Sequence, residues 1–253
     1  FVVNSWEVDA AQMENFKKIY HTPAKLFHSL PPGVDRSRIR PENADKIRTE
    51  VRQNLSLKPL VLNPLCLKKD DKLLLMIGTG YKRKGVDRTI QALASLPEAL
   101  RSKTFLIVAG EDNLKKYNKS AKKLGIEKQV YLPGSRDDVP ELLLASDLFL
   151  HPARHENTGT VLLEAIAAGI PQIISGVCGY AFHIEKAQAG IVLSEPYQQT
   201  EFNQQLLMML TSDKWQQWQD NALNYMHNSD IFSMPDKVSD IIEEIKETID
   251  EED

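Results

Sequence analysis

The chain has 253 residues, too many for one typical domain and few for two complete ones, so one full domain with part of a second is the expected organisation. Hydrophobic residues make up 42% and charged residues 26%, which excludes wholesale disorder and predicts a packed core. The formal charge of −4 belongs to one end: Glu243 to Asp253 holds seven acids and one lysine, so residues 1–242 carry +2, and the acidic total neither supports nor excludes an anionic ligand elsewhere.

Taken in order, residues 1–5 (FVVNS) read as a buried strand and Asp9 to Tyr20 as a polar helix. AKLFHSLPPGVD follows, a strand running into a Pro-Pro-Gly turn at Pro31 to Gly33. Between Asp35 and Pro59 the composition is polar and basic (Arg36, Arg38, Arg40, Lys46, Arg48, Arg52), which predicts a connecting segment with a short helix near Ala44 to Asn54. From Lys72 the pattern alternates. Strands are expected at Lys72–Gly78, Phe105–Gly110, Gln129–Gly134, Asp147–Pro152, Pro171–Ser175 and Gly190–Pro196, with helices between them at Val86–Ser95, Leu114–Leu124, Val139–Ala145 and Thr160–Ala168. Short apolar strands separated by amphipathic helices predict βαβ units and a parallel sheet covered on both faces. Three helices close the chain: Thr200–Leu210, Lys214–Met226 and Pro235–Thr248, the last with Ile241, Ile242, Ile245 and Ile249 on one face.

The longest uncharged run, Ala165 to Phe182, is long enough to span a bilayer, but Pro171, Gln172, Ser175 and its glycines break it into a helix end, a strand and a loop. Cys66 and Cys178 are too few for a disulfide framework, so a reducing compartment is expected. No secretory signal opens the chain and Phe1 is not a methionine, so the chain is expected to begin partway through a larger protein.

Open parallel sheets bind ligands at the carboxyl ends of their strands, so chemistry is sought in the loops there. GTGYKRKG (Gly78 to Gly85) joins a strand to a helix: its glycines allow close backbone approach, and Lys82, Arg83 and Lys84 stand beside a helix N-terminus that favours anions. A phosphate or pyrophosphate fits; a tight turn with a solvated basic flank is the alternative, and the dinucleotide fingerprint fails because Arg83 stands where its third glycine belongs. HPARHENTGTVLLEAIAAG (His151 to Gly169) carries Glu156 in a loop and Glu164 eight residues on, inside an apolar helix whose first amides are those of Gly159, Thr160 and Val161. A buried carboxylate needs a hydrogen-bond partner, which ribose hydroxyls or a structural arginine would supply.

These segments, with VAG (Val108 to Gly110), LPGSR (Leu132 to Arg136), ASDLFLHP (Ala145 to Pro152) and the E-x7-E spacing followed by AIAAGIP, resemble the retaining glycosyltransferases of family 4. KRKGVDRTIQALASLPEALR and VLLEAIAAGIPQIISGVCGYAFHI are similar to the lipopolysaccharide core glucosyltransferase I group. The resemblance implies a GT-B fold of two Rossmann-like domains. Residues 1–35 would end the N-terminal acceptor domain, 36–71 connect, 72–234 bind the sugar nucleotide, and 235–253 form a helix crossing back to the first domain plus an acidic tail. It also implies roles. Lys84, helped by Arg83, would neutralise the donor pyrophosphate; Glu156 would hold sugar hydroxyls near the anomeric carbon and Glu164 the ribose hydroxyls. Gly78, Thr79, Asn157, Thr158, Gly159, Thr160 and Val161 would line the donor, and Arg136 would border the uracil. Three departures stand out: Thr79 where many members have arginine, Glu156-Asn157-Thr158-Gly159 for the usual Glu-Gly-Phe-Gly, and Phe182 for a frequent glutamate.

His151 and His155 are spaced i, i+4, but Pro152 between them argues against a helical zinc site, and no metal or other cofactor is expected. His183 and Tyr180 sit in the CGYAFHI turn, Cys178 has no identifiable base, and Trp215 and Trp218 fit a core-facing helix stripe. No basic stripe with interleaved aromatics suggests nucleic acid. The expected activity is retaining transfer of a hexose, glucose from UDP-glucose first, to a lipopolysaccharide core sugar or related glycan. Membrane contact would come only through the missing domain of a cytoplasmic enzyme, peripheral at the inner membrane. The alternatives are a non-catalytic sugar-nucleotide-binding module and, more remotely, a nicotinamide-dependent oxidoreductase.

Overall fold

A computed structural model of the chain describes residues 2–4, 14, 17–21, 23, 27–57 and 67–250. Two short parallel strands, β1 (Val2–Asn4) and β2 (Phe27–Ser29), pair with each other. Most of the helix expected from Asp9 lies outside the described residues, though 17–20 are helical. A short 3-10 turn (Arg36–Arg38) leads to helix α1 (Ala44–Leu57).

The remainder alternates. In chain order come β3 (Lys72–Ile77), α2 (Tyr81–Lys84), α3 (Val86–Ala94), α4 (Glu98–Arg101), β4 (Thr104–Ala109), α5 (Leu114–Lys123), β5 (Val130–Gly134), α6 (Val139–Ala145), β6 (Leu148–His151), α7 (Thr160–Ala167), β7 (Gln172–Ser175), α8 (Ala181–Ala187) and β8 (Gly190–Leu193). Helices α9 (Gln199–Thr211), α10 (Trp215–Asn228) and α11 (Met234–Asp250) follow. The six strands from β3 form one parallel sheet in the order β5-β4-β3-β6-β7-β8. The expected α/β class and alternation hold, with two refinements. The basic loop contains a helical turn, α2, and the segment read as a CGYAFHI turn becomes helix α8 from Ala181 because Ala181, Ile184 and Ala187 bury one face against the core.

Strand side chains alternate between two apolar layers, as the pleat requires. Leu73, Leu75, Ile107, Phe149 and Ile174 pack with α6, α7, α8 and α10; Leu74, Met76, Leu106, Leu150 and Ile173 pack with α3, α5 and α9. This double coverage explains strands with no polar face.

Helix α1, assigned to a connecting segment, is stitched to the sheet. Arg48 donates to Leu144 O and Ser146 O and pairs with Asp147 at 2.6 Å, while Arg52 reaches Ala145 O at 3.0 Å and Asp147 at 3.2 Å. At the other end of the chain, Val34 N donates to Ile231 O at 2.9 Å and the Arg36 guanidinium lies 5.1 Å from the Phe232 ring centroid, so the entry to α11 touches residues 34–36. Farther along α11, Ile242 is exposed. No helix among the described residues is long and apolar enough to cross a membrane.

Chain order runs outward from β3 through β4 to β5, then returns to β6 beside β3 and proceeds to β8. The switch point therefore lies between β3 and β6. Their carboxyl-end loops, Gly78 to Gly85 and Pro152 to Gly159, face one crevice, the place where such sheets bind ligands.

Candidate active site

Backbone geometry brings the two loops together. Gly85 has φ of 78°, and a Cβ there would stand 2.0 Å from Pro152 O, so only glycine lets the basic turn lie against the β6 loop. Cross-bracing fixes the approach: Arg154 N donates to Arg83 O at 2.7 Å, Arg154 grips Asp87 through two 2.8 Å bonds, and Arg88 donates to Pro152 O and Ala153 O, each at 3.0 Å. On its other flank the β6 loop is held by the turn after β7, with a bridge between Glu156 and Cys178 and bonds from Gly179 N to Asn157 O and Tyr180 N to Thr158 O.

Glu156 is the hub. Lys84 Nζ donates to its Oε2, His151 Nε2 lies 3.0 Å from the same oxygen, and Arg83 Nη1 lies 3.4 Å from Oε1. The Glu156 side chain is 9% exposed. Burial alone would raise its pKa, but the bonds from His151 and Lys84 overcome that and hold it at about 2. Burial lowers the pKa of His151, opposed by Glu156, so the imidazole is neutral. The sequence-expected Lys84, Arg83 and Glu156 thus meet, and His151, considered only as a metal ligand, joins them.

Glu164 stands apart on α7, 20% exposed, with no hydrogen bond to its carboxylate among the described residues. Arg38 Nε lies 3.8 Å from it and is itself buried without a hydrogen bond among the described residues. Burial raises the Glu164 pKa, opposed by Arg38. A half-buried carboxylate and a guanidinium face each other with donors and acceptors to spare, an arrangement that hydroxyl groups would complete. Arg38 is the second residue missed, since nothing in the sequence ties the connecting segment to α7.

Gly159 (φ 86°) turns the loop into α7, and among the described residues no side chain caps that helix, whose first amides are those of Gly159, Thr160 and Val161. Gly78 adjoins the Lys84 side chain, since a Cβ on it would lie 3.0 Å from Lys84 Cε. Thr79 is exposed in the same turn. Arg136 is not brought to Glu156: it follows edge strand β5 and is gripped by Asp138, at 2.7 Å through Nε and again through Nη2. Cys178 is buried and its thiol is pushed up to about 12 by that burial, which leaves it protonated at neutral pH. Among the described residues no group of three or more His, Cys, Asp and Glu gathers in a metal-binding arrangement.

Grooves of about 620 and 550 Å³ lie elsewhere, lined by Arg48, Arg52 and Lys68 and by Arg40, Asp147 and Trp215. The second sits at the amino ends of β3 and β6. Neither contains the loop residues above, and the charge constellation at the switch point outweighs cavity size as a guide to the site.

A family model described as glycosyl transferases group 1 matches residues 63–225. The lipopolysaccharide glucosyltransferase WaaG of Escherichia coli (strain K12) is 42% identical over 232 residues, which cover 91% of this chain and 59% of that protein. A GDP-mannose-dependent alpha-(1-6)-phosphatidylinositol monomannoside mannosyltransferase of Mycobacterium tuberculosis (strain CDC 1551 / Oshkosh) is 30% identical over 180 residues, 68% of this chain and 43% of that protein. Among solved structures, the crystal structure of WaaG superposes with a TM-score of 0.83 at 40% identity, covering 94% of this chain and 62% of that one. Anabaena HepE in complex with UDP and glucose superposes with a TM-score of 0.76 over 96% of this chain and 63% of that one, at 19% identity, a likeness of fold alone. The chain spans about three fifths of the length of WaaG.

Proposed function

The chain belongs to the group 1 glycosyl transferases, and from that premise we propose that it is the donor-binding part of a retaining hexosyltransferase moving glucose from UDP-glucose to a sugar of a lipopolysaccharide core or a related glycan. The observation that carries the site assignment is the meeting of Lys84, Arg83 and Glu156 at the switch point. Glucose and the lipopolysaccharide acceptor follow the activity of WaaG, the relative 42% identical to this chain.

In this reading charge develops on the departing UDP, and fixed cations and amides meet it. Lys84 and Arg83 neutralise the diphosphate, and the amides of Gly159, Thr160 and Val161 add dipoles at the start of α7. Glu164 accepts from the ribose hydroxyls and Glu156 from hydroxyls near the anomeric carbon. Gly78, Thr79, Asn157 and Thr158 border the donor, while Arg136, held flat by Asp138, edges the uracil. The acceptor attacks the face that UDP leaves, with a donor phosphate oxygen taking the proton, so no side-chain base is required. Residues 72–234 form the sugar-nucleotide domain, 1–35 end the acceptor domain, 36–71 connect them, and 235–253 cross back. The enzyme acts at the cytoplasmic face of the membrane that carries its acceptor, and donor binding uses no divalent ion.

Calorimetric titration with UDP, UDP-glucose, ADP-glucose, GDP-mannose and NADH tests the reading. UDP and UDP-glucose should bind, equally well with and without EDTA; failure to bind UDP, or preferential binding of NADH, refutes it.

A further inference from the structure

We infer that His151 is a positioning residue for the donor sugar, holding the Glu156 carboxylate in place through its Nε2–H when Lys84 turns away to the diphosphate. The inference rests on the donor-site reading above.

His151 ends β6 and is paired in the sheet with Ile174, so its backbone is fixed, whereas Glu156 lies on the loop beyond. The imidazole is fully buried and stacks on Phe149, with ring centroids 6.0 Å apart. Its Nδ1 is buried without a hydrogen-bond partner among the described residues. A proton on Nδ1 would therefore be unsatisfied, and the neutral tautomer that suits the pocket carries it on Nε2, 3.0 Å from Glu156 Oε2. Both Lys84 and His151 donate to that one oxygen, while among the described residues Oε1 has only the long contact from the more exposed Arg83.

The two donors differ in what else they can do. Lys84 sits on a short helical turn at a loop, and a diphosphate competes for its ammonium. The imidazole N–H has a fixed ring, a fixed strand and one acceptor within reach. When the lysine leaves, the histidine keeps Oε2 occupied and leaves Oε1 presented to the sugar. A buried histidine that merely fills the core has no reason to face the one carboxylate assigned to the sugar.

A double-mutant cycle tests this. Affinities for UDP and UDP-glucose are measured by calorimetry for the wild type, His151→Phe, Glu156→Gln and the double variant, with His151→Gln as the variant that keeps an N–H donor. His151→Phe should weaken UDP-glucose by about 10-fold more than UDP, as expected for loss of a hydrogen bond to a charged group. His151→Gln should restore part of that, and in the Glu156→Gln background the change at 151 should have no further effect on the sugar preference. Equal loss of UDP and UDP-glucose, or an effect of the same size in the Glu156→Gln background, overturns the proposal. Should His151→Phe not fold, His151→Leu takes its place in the same cycle. A wild type that binds no UDP-glucose refutes the donor reading itself, a result distinct from any outcome of the cycle.

Discussion

Asp147→Ala should cost this chain about 4 kcal/mol of folding stability, the sum of one buried amide left without an acceptor and two weakened ion pairs. Asp147 precedes β6 and is almost fully buried. Its Oδ2 accepts from Leu73 N at 2.7 Å and from Arg52 at 3.2 Å, and its Oδ1 from Arg48 at 2.6 Å. Alanine leaves the Leu73 N–H buried and unpaired, at about 1–3 kcal/mol. The arginines lose a carboxylate but keep backbone carbonyls of Leu144, Ala145, Ser146 and Asp71, so each pair contributes nearer 1 kcal/mol than the 3–5 kcal/mol of a fully orphaned buried charge.

Asp147→Asn separates the two contributions. Its amide oxygen can still accept from Leu73 N, so it should cost roughly half as much, about 2 kcal/mol. Equilibrium urea unfolding of the three proteins, followed by circular dichroism, measures both values. An alanine variant within 1 kcal/mol of wild type would refute the account of Asp147 as the tie between α1 and the sheet, and an asparagine variant as costly as alanine would mean that the charge, and not the Leu73 amide, dominates.

Lys84→Ala should reduce UDP affinity about a hundredfold and uridine affinity little, since a fixed cation on a diphosphate is worth about 3 kcal/mol; unchanged UDP binding by calorimetry removes Lys84 from the diphosphate site. Glu164→Ala should weaken UDP by about 10-fold while Glu156→Ala, which frees Lys84 for the diphosphate, leaves UDP bound at least as tightly and weakens only UDP-glucose, and equal losses would show the two roles misassigned. Glu164→Gln should stabilise the unliganded chain at pH 7. Burial raises the folded-state pKa of Glu164 with Arg38 opposing, so the ionised group is destabilising above its folded pKa, and that penalty disappears as the pH falls below the ordinary value of 4.5. Urea midpoints at pH 7 and pH 4 check this, and an equal difference at both pH values contradicts it.

The sheet was legible because its strands face apolar layers on both sides, so that runs such as LLLMI and FLIVA have few other folded environments available. Lys84 and Glu156 were legible as loop residues with chemistry to offer, but their direct pairing was not: it depends on α2 turning Lys84 toward a loop 72 positions away and on the close approach at Gly85. The basic cluster from Lys82 to Arg88 looked uniform and is divided by the fold. Arg83 and Lys84 face Glu156, while Arg88 is taken up by two carbonyls and the Tyr197 ring, 3.6 Å from its guanidinium. The i, i+4 spacing of His151 and His155 suggests a metal pair to the eye, whereas the partner of His151 in the fold is the glutamate five positions on. Arg38 lies 126 positions from Glu164, and no pattern in a polar connecting segment marks which of its arginines turns inward.

The two glutamates of the site hold their charges in opposite ways, and the difference bears on how a donor would be recognised. Glu156 is already satisfied by Lys84 and His151, whereas among the described residues Glu164 has only a distant guanidinium. A ribose meeting Glu164 gains bonds without breaking any. A diphosphate meeting Lys84 takes a partner from Glu156, so part of the attraction is offset by the pair it disrupts, and the carboxylate that remains is buried with one donor fewer. In the proposed reading sugar hydroxyls would refill that vacancy and bare UDP would not. Bound UDP would then leave Glu156 under-satisfied, and UDP-glucose would leave it fully bonded. Recognition of the sugar would thereby be tied to recognition of the phosphates through one lysine, with the nucleoside end independent of both. If Lys84 is the tie, replacing it with alanine should remove the dependence of UDP binding on residue 156, so that UDP affinity in Lys84→Ala no longer responds to Glu156→Gln; a response as large as in the wild type would break the link.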